Sequence, residues 1–134
     1  MIFTENEKRY LTGHLLGRLA TIGPAGAPMN HAVACWVDAD TGVVQVGGPA
    51  LGSSAKARNV AADPRVSIVI DDIQDEAVGP DGQRGRGLEI RGHAELVSVD
   101  QPLFDGFSSE ALRIRPRRIL SWNVDGPGPR NRNV

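Results

Sequence analysis

From Leu88 to Leu96 the apolar residues Leu88, Ile90, Ala94 and Leu96 alternate with Glu89, Arg91, His93 and Glu95. A period of two puts successive side chains on opposite faces of an extended chain, so this segment is a β-strand with one buried and one wet face. Gly17–Ile22 alternates in the same way and stops at Gly23-Pro24-Ala25-Gly26, a cluster that supplies the positive and fixed φ of a tight turn. A second strand is expected from Pro28 to Val37, and Asp38–Gly42 turns the chain into a third at Val43–Gly47. Val66, Ile68 and Ile70 mark another buried strand, and Leu112 with Ile114 opens a last one, which Pro116 interrupts before Ile119–Val124 resumes.

Helices are few. Thr4 followed by Glu7 forms a capping box for a helix ending near Gly13, and Ser53–Ala62 has serine caps, good helix formers and a stop at Asp63-Pro64. Gln101–Phe107 is expected to make a short helical turn. About six strands with so few helices between them exclude a parallel βαβ sheet. The expected class is therefore mainly β: a closed or split six-stranded antiparallel β-barrel with two or three short helices. The 134 residues allow one domain, residues 1–134, with one core. Residues 72–86, rich in charge, glycine and proline, are expected to be a mobile or functional loop, and Gly126–Arg130 to lack regular structure.

A formal net charge of −1 argues against a general nucleic-acid binder. The apolar runs fall short of the roughly 20 residues of a membrane helix, and the start MIFTENEKRY is polar, with acidic residues ahead of its basic ones, which predicts a cytoplasmic protein without a membrane partner. Cys35, alone and between apolar neighbours, reads as a small buried hydrophobe. His14, His31 and His93 lie far apart without metal-ligand spacing, and Asp71, Asp72, Asp75 and Glu76 read as a solvated loop, so no metal site is expected. Nor is there a nucleophile elbow. Hard chemistry in such a chain has to come from an organic cofactor that the barrel positions.

One stretch suits such a cofactor. A strand leads into Gly47-Gly48-Pro49-Ala50-Leu51-Gly52, followed by Ser53, Ser54 and Lys56 in the first turn of a helix. Helix amides, hydroxyls and a lysine together suit a phosphate, although Ser53 stands where a nucleotide-binding loop of the Walker type requires lysine. Two readings stay open on these residues alone: a phosphate site, or a capped helix with a solvated lysine. Arg58 either assists or pairs with Asp63, and Trp36 and Trp122 either cover a cofactor ring or belong to the core.

The succession Gly17-Arg-Leu-Ala-Thr-Ile-Gly23, Pro28, Lys56-Ala-Arg58-Asn59-Val60, Asp63-Pro64-Arg65-Val66, Val69-Ile-Asp-Asp72 and Glu89-Ile-Arg-Gly-His-Ala94 resembles the pyridoxamine 5′-phosphate oxidase-like split-barrel superfamily. Ile114-Arg-Pro-Arg-Arg-Ile119, Ser121-Trp122 and the Asn131–Val134 tail resemble its actinobacterial branch that uses the deazaflavin coenzyme F420. The resemblance implies a homodimer with two cofactor sites at the subunit interface. It implies that Lys56 holds the cofactor phosphate with Ser53 and Ser54 beside it, and that His31, Ala32 and Val33 lie along the ring. Gly47 and Gly48 would approach the cofactor through their backbone, and Trp122 would face the partner's site. Asn30-His31-Ala32 replaces the more usual apolar, proline-containing segment, and Arg84 or Arg86 would meet the acidic tail of F420 unless the loop is only a solvated surface.

The implied activity is hydride transfer from reduced F420 to an unsaturated or carbonyl-conjugated small molecule. Two alternatives stand beside it: an FMN-binding oxidoreductase of the same fold, and a non-enzymatic protein that carries a flavin, deazaflavin or haem-like ligand.

Overall fold

The computed structural model describes residues 2–38 and 40–134; Ala39, in the predicted turn before the third strand, lies outside the described residues. The elements are α1 (Glu5–Thr12), β1 (Leu16–Ile22), β2 (Pro28–Val37), β3 (Val44–Gly47), α2 (Ala55–Ala62), β4 (Arg65–Ile73), β5 (Gly85–Ser98), β6 (Glu110–Trp122) and β7 (Pro129–Asn133). All strand pairs are antiparallel, in the order β3-β2-β1-β4-β5-β6-β7. β6 also pairs with β3 through Val44–Ile114 to Val46–Leu112, which closes the first six strands into a barrel. Closure removes the open edges that a six-stranded sheet would otherwise present.

The alternation read from the sequence is the inside–outside alternation of this barrel. Leu19, Ile68, Ile70, Leu88, Ile90, Leu112, Ile114 and Ile119 are fully buried, and Cys35 lies among them. Tyr10 and Leu11 of α1, with Phe3 just before it, join the same core. The predicted capping box is present: Thr4 Oγ1 accepts from the Glu7 amide at 3.2 Å and Glu7 Oε1 accepts from the Thr4 amide at 2.9 Å. α2 begins at its N-cap Ser54, stops at Asp63, and packs against β1 and β5.

Four expectations are corrected. Pro116 does not interrupt the last strand, because β6 runs unbroken past it. The register shifts between Arg91 and Gly92, leaving Arg117 as an extra residue, and this bulge absorbs the donor that proline lacks. Gly92 is required there, since a Cβ would stand 2.2 Å from the Arg115 carbonyl oxygen. Residues 101–107 form turns and bends with no helix, and Phe107 packs edge-on against Trp36 at 6.2 Å.

The 72–86 segment is the end of a long β4–β5 hairpin, paired in register up to Ile73–Gly85. Gln74 and Val78 donate backbone hydrogen bonds to Arg84 and Gln83, and the buried Asn123 donates to Gln83 Oε1 and the Gly85 carbonyl. The tail is irregular only through its turn: Pro129–Asn133 forms β7 on β6. Its Arg132 reaches the buried Glu7 carboxylate of α1 with both guanidinium nitrogens, at 3.0 and 2.6 Å.

Candidate functional site

α2 covers one mouth of the barrel, and the lysine read as an anion ligand stands in its first turn. The serines before it work mainly as caps. Ser54 Oγ accepts from the Ala57 amide at 3.3 Å and donates to the Leu51 carbonyl at 2.6 Å, while Ser53 Oγ donates to the Ala50 carbonyl at 3.1 Å. The amides of Leu51 and Gly52 are engaged by Ser108 Oγ and Glu110 Oε1, at 3.1 Å each. The amides of Ala55 and Lys56 have no partner among the described residues, and Lys56 Nζ has neither a carboxylate nor a hydrogen-bond acceptor there. A cation beside two free amides at a helix start fits a phosphate monoester or diester of a flavin-type cofactor. Arg58 is turned back to the Ser53 carbonyl at 2.7 Å, and Asp63 pairs with Arg65 instead.

Of the β2 residues, His31 and Val33 face the barrel interior and Ala32 faces outward, as the strand's alternation requires. Val33 is core. His31 lies under α2, close enough to Lys56 that burial and then the lysine's charge lower the imidazole pKa. Its Nε2 is 2.9 Å from Thr21 Oγ1, and Asn59 Nδ2 on α2 donates to the same hydroxyl at 2.9 Å. Thr21 and Asn59 were missed in the sequence. An asparagine in the middle of an eight-residue helix was the available signal, since it is a poor helix former unless its amide has a partner.

Gly47 and Gly48 are buried at the end of β3. A Cβ on Gly47 would press on Phe107 at 2.9 Å, and the Gly48 carbonyl accepts from the Ser108 amide and hydroxyl at 3.1 and 3.2 Å. Trp122 lies opposite Gly87 at one end of β5, whereas α2 flanks Ala94 and Glu95 near the other. Seven residues of strand, roughly 23 Å, separate the two places, so one chain does not bring Trp122 to Lys56. Arg86 is not free to meet an acidic tail: it bonds Asp72 at 2.8 and 3.2 Å and lies 4.9 Å over the Tyr10 ring. Asp72 also accepts from Tyr10 at 2.8 Å, so the cluster ties α1 to the β4–β5 hairpin.

Two grooves open on either side of the β1–β2 turn. One, of about 430 Å³, has Ala20, Ile22, Pro28 and Val66 in its walls and Arg65, Arg91 and Arg117 around it. The other, of about 500 Å³, lies between the turn and α2, with Arg58 and Asn59 in its wall. Lys56, half-buried in the first turn of α2, lines neither of these two grooves.

A small closed antiparallel barrel with a helix over one mouth and an anion-suited lysine at its start defines a split-barrel cofactor-binding protein. The family described as pyridoxamine 5′-phosphate oxidase matches residues 3–133, and the chain belongs to it. The chain is 36% identical over 127 residues to a curated 5a,11a-dehydrotetracycline/5a,11a-dehydrooxytetracycline reductase of Streptomyces rimosus, covering 94% of this chain and 87% of the relative. A solved structure described as an F420 reductase superposes with a TM-score of 0.64 at 25% identity, covering 87% of this chain and 98% of that one. A haem-binding protein of Mycobacterium smegmatis shares the fold alone, with a TM-score of 0.70 at 18% identity over 99% of this chain and 59% of that one. Family and relatives make the chain an oxidoreductase of this fold. Among the described residues, no helix is long and apolar enough to cross a membrane.

Proposed function

We propose that this chain is an F420-dependent reductase that delivers hydride to an unsaturated, carbonyl-conjugated small molecule. The observation that carries the reading is Lys56, a cation with no carboxylate partner among the described residues, set beside the unpartnered Ala55 and Lys56 amides. Lys56 and these amides would hold the cofactor phosphate, and His31 and Ala32 would lie along its ring. The reductase relative and the F420 reductase structure support the deazaflavin and an olefinic, polycyclic class of substrate. When bound, the reduced deazaflavin supplies the hydride. The chain's own part is to fix the orientation and to place positive charge where the cofactor is anionic, with solvent delivering the proton.

A second copy would complete the site. Leu16 and Ile73 are 76% and 68% exposed on the outer face of β1 and β4, a face whose apolar residues call for cover. Dimerisation there would bring the partner's Trp122 toward the site and shield it from water in a cytoplasmic homodimer.

The test is a parallel titration of cofactor-free protein with F420 and FMN, read by tryptophan fluorescence, with light scattering for the dimer. F420 binding in preference to FMN is expected, and Lys56→Ala should weaken it by about 1.5–3 kcal/mol, the value of a hydrogen bond to a charged group. Preference for FMN would move the chain to flavin chemistry. Binding of neither would favour the non-enzymatic carrier, and unchanged affinity in Lys56→Ala would remove the phosphate assignment.

A further inference from the structure

We propose that Asn59 and Thr21 lock His31 as the neutral Nδ1–H tautomer, making it a fixed hydrogen-bond donor to an oxygen of the bound cofactor. The donor role rests on the cofactor reading above, and the lock does not. The three residues come from α2, β1 and β2. The register pairs Thr21 with Met29 and Leu19 with His31, so Thr21 and His31 meet diagonally on the inner face.

The proton positions follow from what each atom is able to do. Asn59 Nδ2 lies 2.9 Å from Thr21 Oγ1 and 3.2 Å from Met29 Sδ. A thioether sulfur only accepts, so the amide nitrogen and not its oxygen faces this pair. Thr21 Oγ1 therefore accepts from Asn59 and has one proton left to give. Thr21 is 2% exposed, and among the described residues the acceptor left for its hydroxyl proton is His31 Nε2 at 2.9 Å. Nε2 must receive that proton on its lone pair, and the ring's own proton sits on Nδ1.

Among the described residues Nδ1 has no hydrogen-bond partner. Among the described residues no buried side-chain nitrogen or oxygen lacks one, so Nδ1 reaches the surface at the α2 mouth. Lys56, whose charge also bears on the ring, stands on the same side and opposes a second proton there. The mouth thus carries two unlike donors. Lysine is a swivelling point charge, whereas the locked imidazole is a directional neutral donor suited to a phosphate oxygen or a ring carbonyl. Thr21 and Asn59 are positioning residues, acting through His31.

Long-range ¹H–¹⁵N correlation NMR on ligand-free protein, with His31 assigned by its His31→Asn variant, tests the lock. The expected result is the Nδ1–H tautomer in the native protein, a shift toward Nε2–H in Thr21→Val, and its reversal in Thr21→Ser, with unchanged far-UV circular dichroism showing that the variants fold. An Nε2–H ring in the native protein, or no response to Thr21→Val, would overturn it. For the donor role, F420 and its phosphate-free deazariboflavin fragment are titrated against His31→Asn, which keeps a donor at the Nδ1 position, and His31→Phe, which does not. His31→Phe should weaken F420 binding about three- to tenfold while His31→Asn stays near native. Loss with F420 alone identifies the phosphate oxygen as acceptor, and loss with both identifies the ring carbonyl. Native affinity of His31→Phe for both ligands would overturn the donor role. If the native protein binds neither F420 nor FMN, the cofactor reading fails and the donor role with it, while the spectra still decide the lock.

Discussion

The Glu7–Arg132 pair allows a stability prediction worked from geometry. Glu7 is fully buried, and its carboxylate accepts from Arg132 Nη1 at 3.0 Å, Arg132 Nη2 at 2.6 Å and the Thr4 amide at 2.9 Å. Arg132 also donates to the Ile2 carbonyl at 2.5 Å. Truncation to Arg132→Ala leaves the carboxylate charged and buried with one donor in place of three. Removing one partner of a buried ion pair costs about 3–5 kcal/mol. The Arg132 side chain is 32% exposed, so water enters the gap, and the expected loss is nearer about 2–3 kcal/mol. For a chain of this size that lowers the melting midpoint by about 6–12 °C. Calorimetry of Arg132→Ala, Glu7→Gln and the double variant measures it. Because Glu7→Gln keeps the acceptor for Thr4 while removing the charge, the double variant should lose at least about 1 kcal/mol less than the sum of the singles. A single-variant loss below about 0.5 kcal/mol, or additivity within that margin, would refute the reasoning.

Two further outcomes are expected. The Asp72 carboxyl is held well below the usual carboxylate range, first by the Arg86 guanidinium and then by Tyr10 and Gln74. Its stabilisation is complete above the ordinary carboxylate pKa and is lost as pH falls through the lowered native value, because the unfolded chain takes up its proton first. Urea unfolding between pH 2 and 6 should therefore show a steeper acid limb in the native protein than in Asp72→Asn, and parallel limbs would contradict the pairing. Gly92→Ala should destabilise the barrel by about 1–3 kcal/mol or prevent folding, since its Cβ meets a backbone oxygen at the bulge. A melting midpoint within 2 °C of native, about half a kcal/mol or less, would show that the bulge relaxes freely.

What was legible in the sequence was local. The Thr4–Glu7 capping box, the Ser54 cap, the alternation of Leu88–Leu96 and the turn at Gly23–Gly26 each depend on residues a few positions apart, and each is present. Lys56 could be singled out in the sequence for the same reason, because its helix start is one contiguous segment. The misreadings share the opposite cause. Pro116 looks like a break until Gly92, on another strand, supplies the bulge. Pro129–Asn133 has no apolar pattern, and what holds it is Arg132 on Glu7 and Arg118 on Asn131 and Asn133. The 72–86 segment lacks periodicity because its anchor is Asn123, 38 residues beyond the Gly85 carbonyl it bonds.

The same distinction bears on where a ligand belongs. A polar group that is buried must be satisfied within the fold, or it loses its hydration without compensation. Glu7 and Asn123 obey this rule, each closed by partners from distant elements. At the α2 mouth the pattern stops. Thr21 and Asn59 are satisfied inside, yet the chain of hydrogen bonds ends on a ring nitrogen that, like the lysine and the two amides at the helix start, has no partner among the described residues. Donors that collect at a surface are hydrated and destabilise nothing while water is there, but an anionic group that displaces the water meets all of them at once. With Nδ1 protonated as proposed, the excess is all of one kind, donors without acceptors, and on that proposal the imbalance is what suits the mouth to phosphate and carbonyl oxygens.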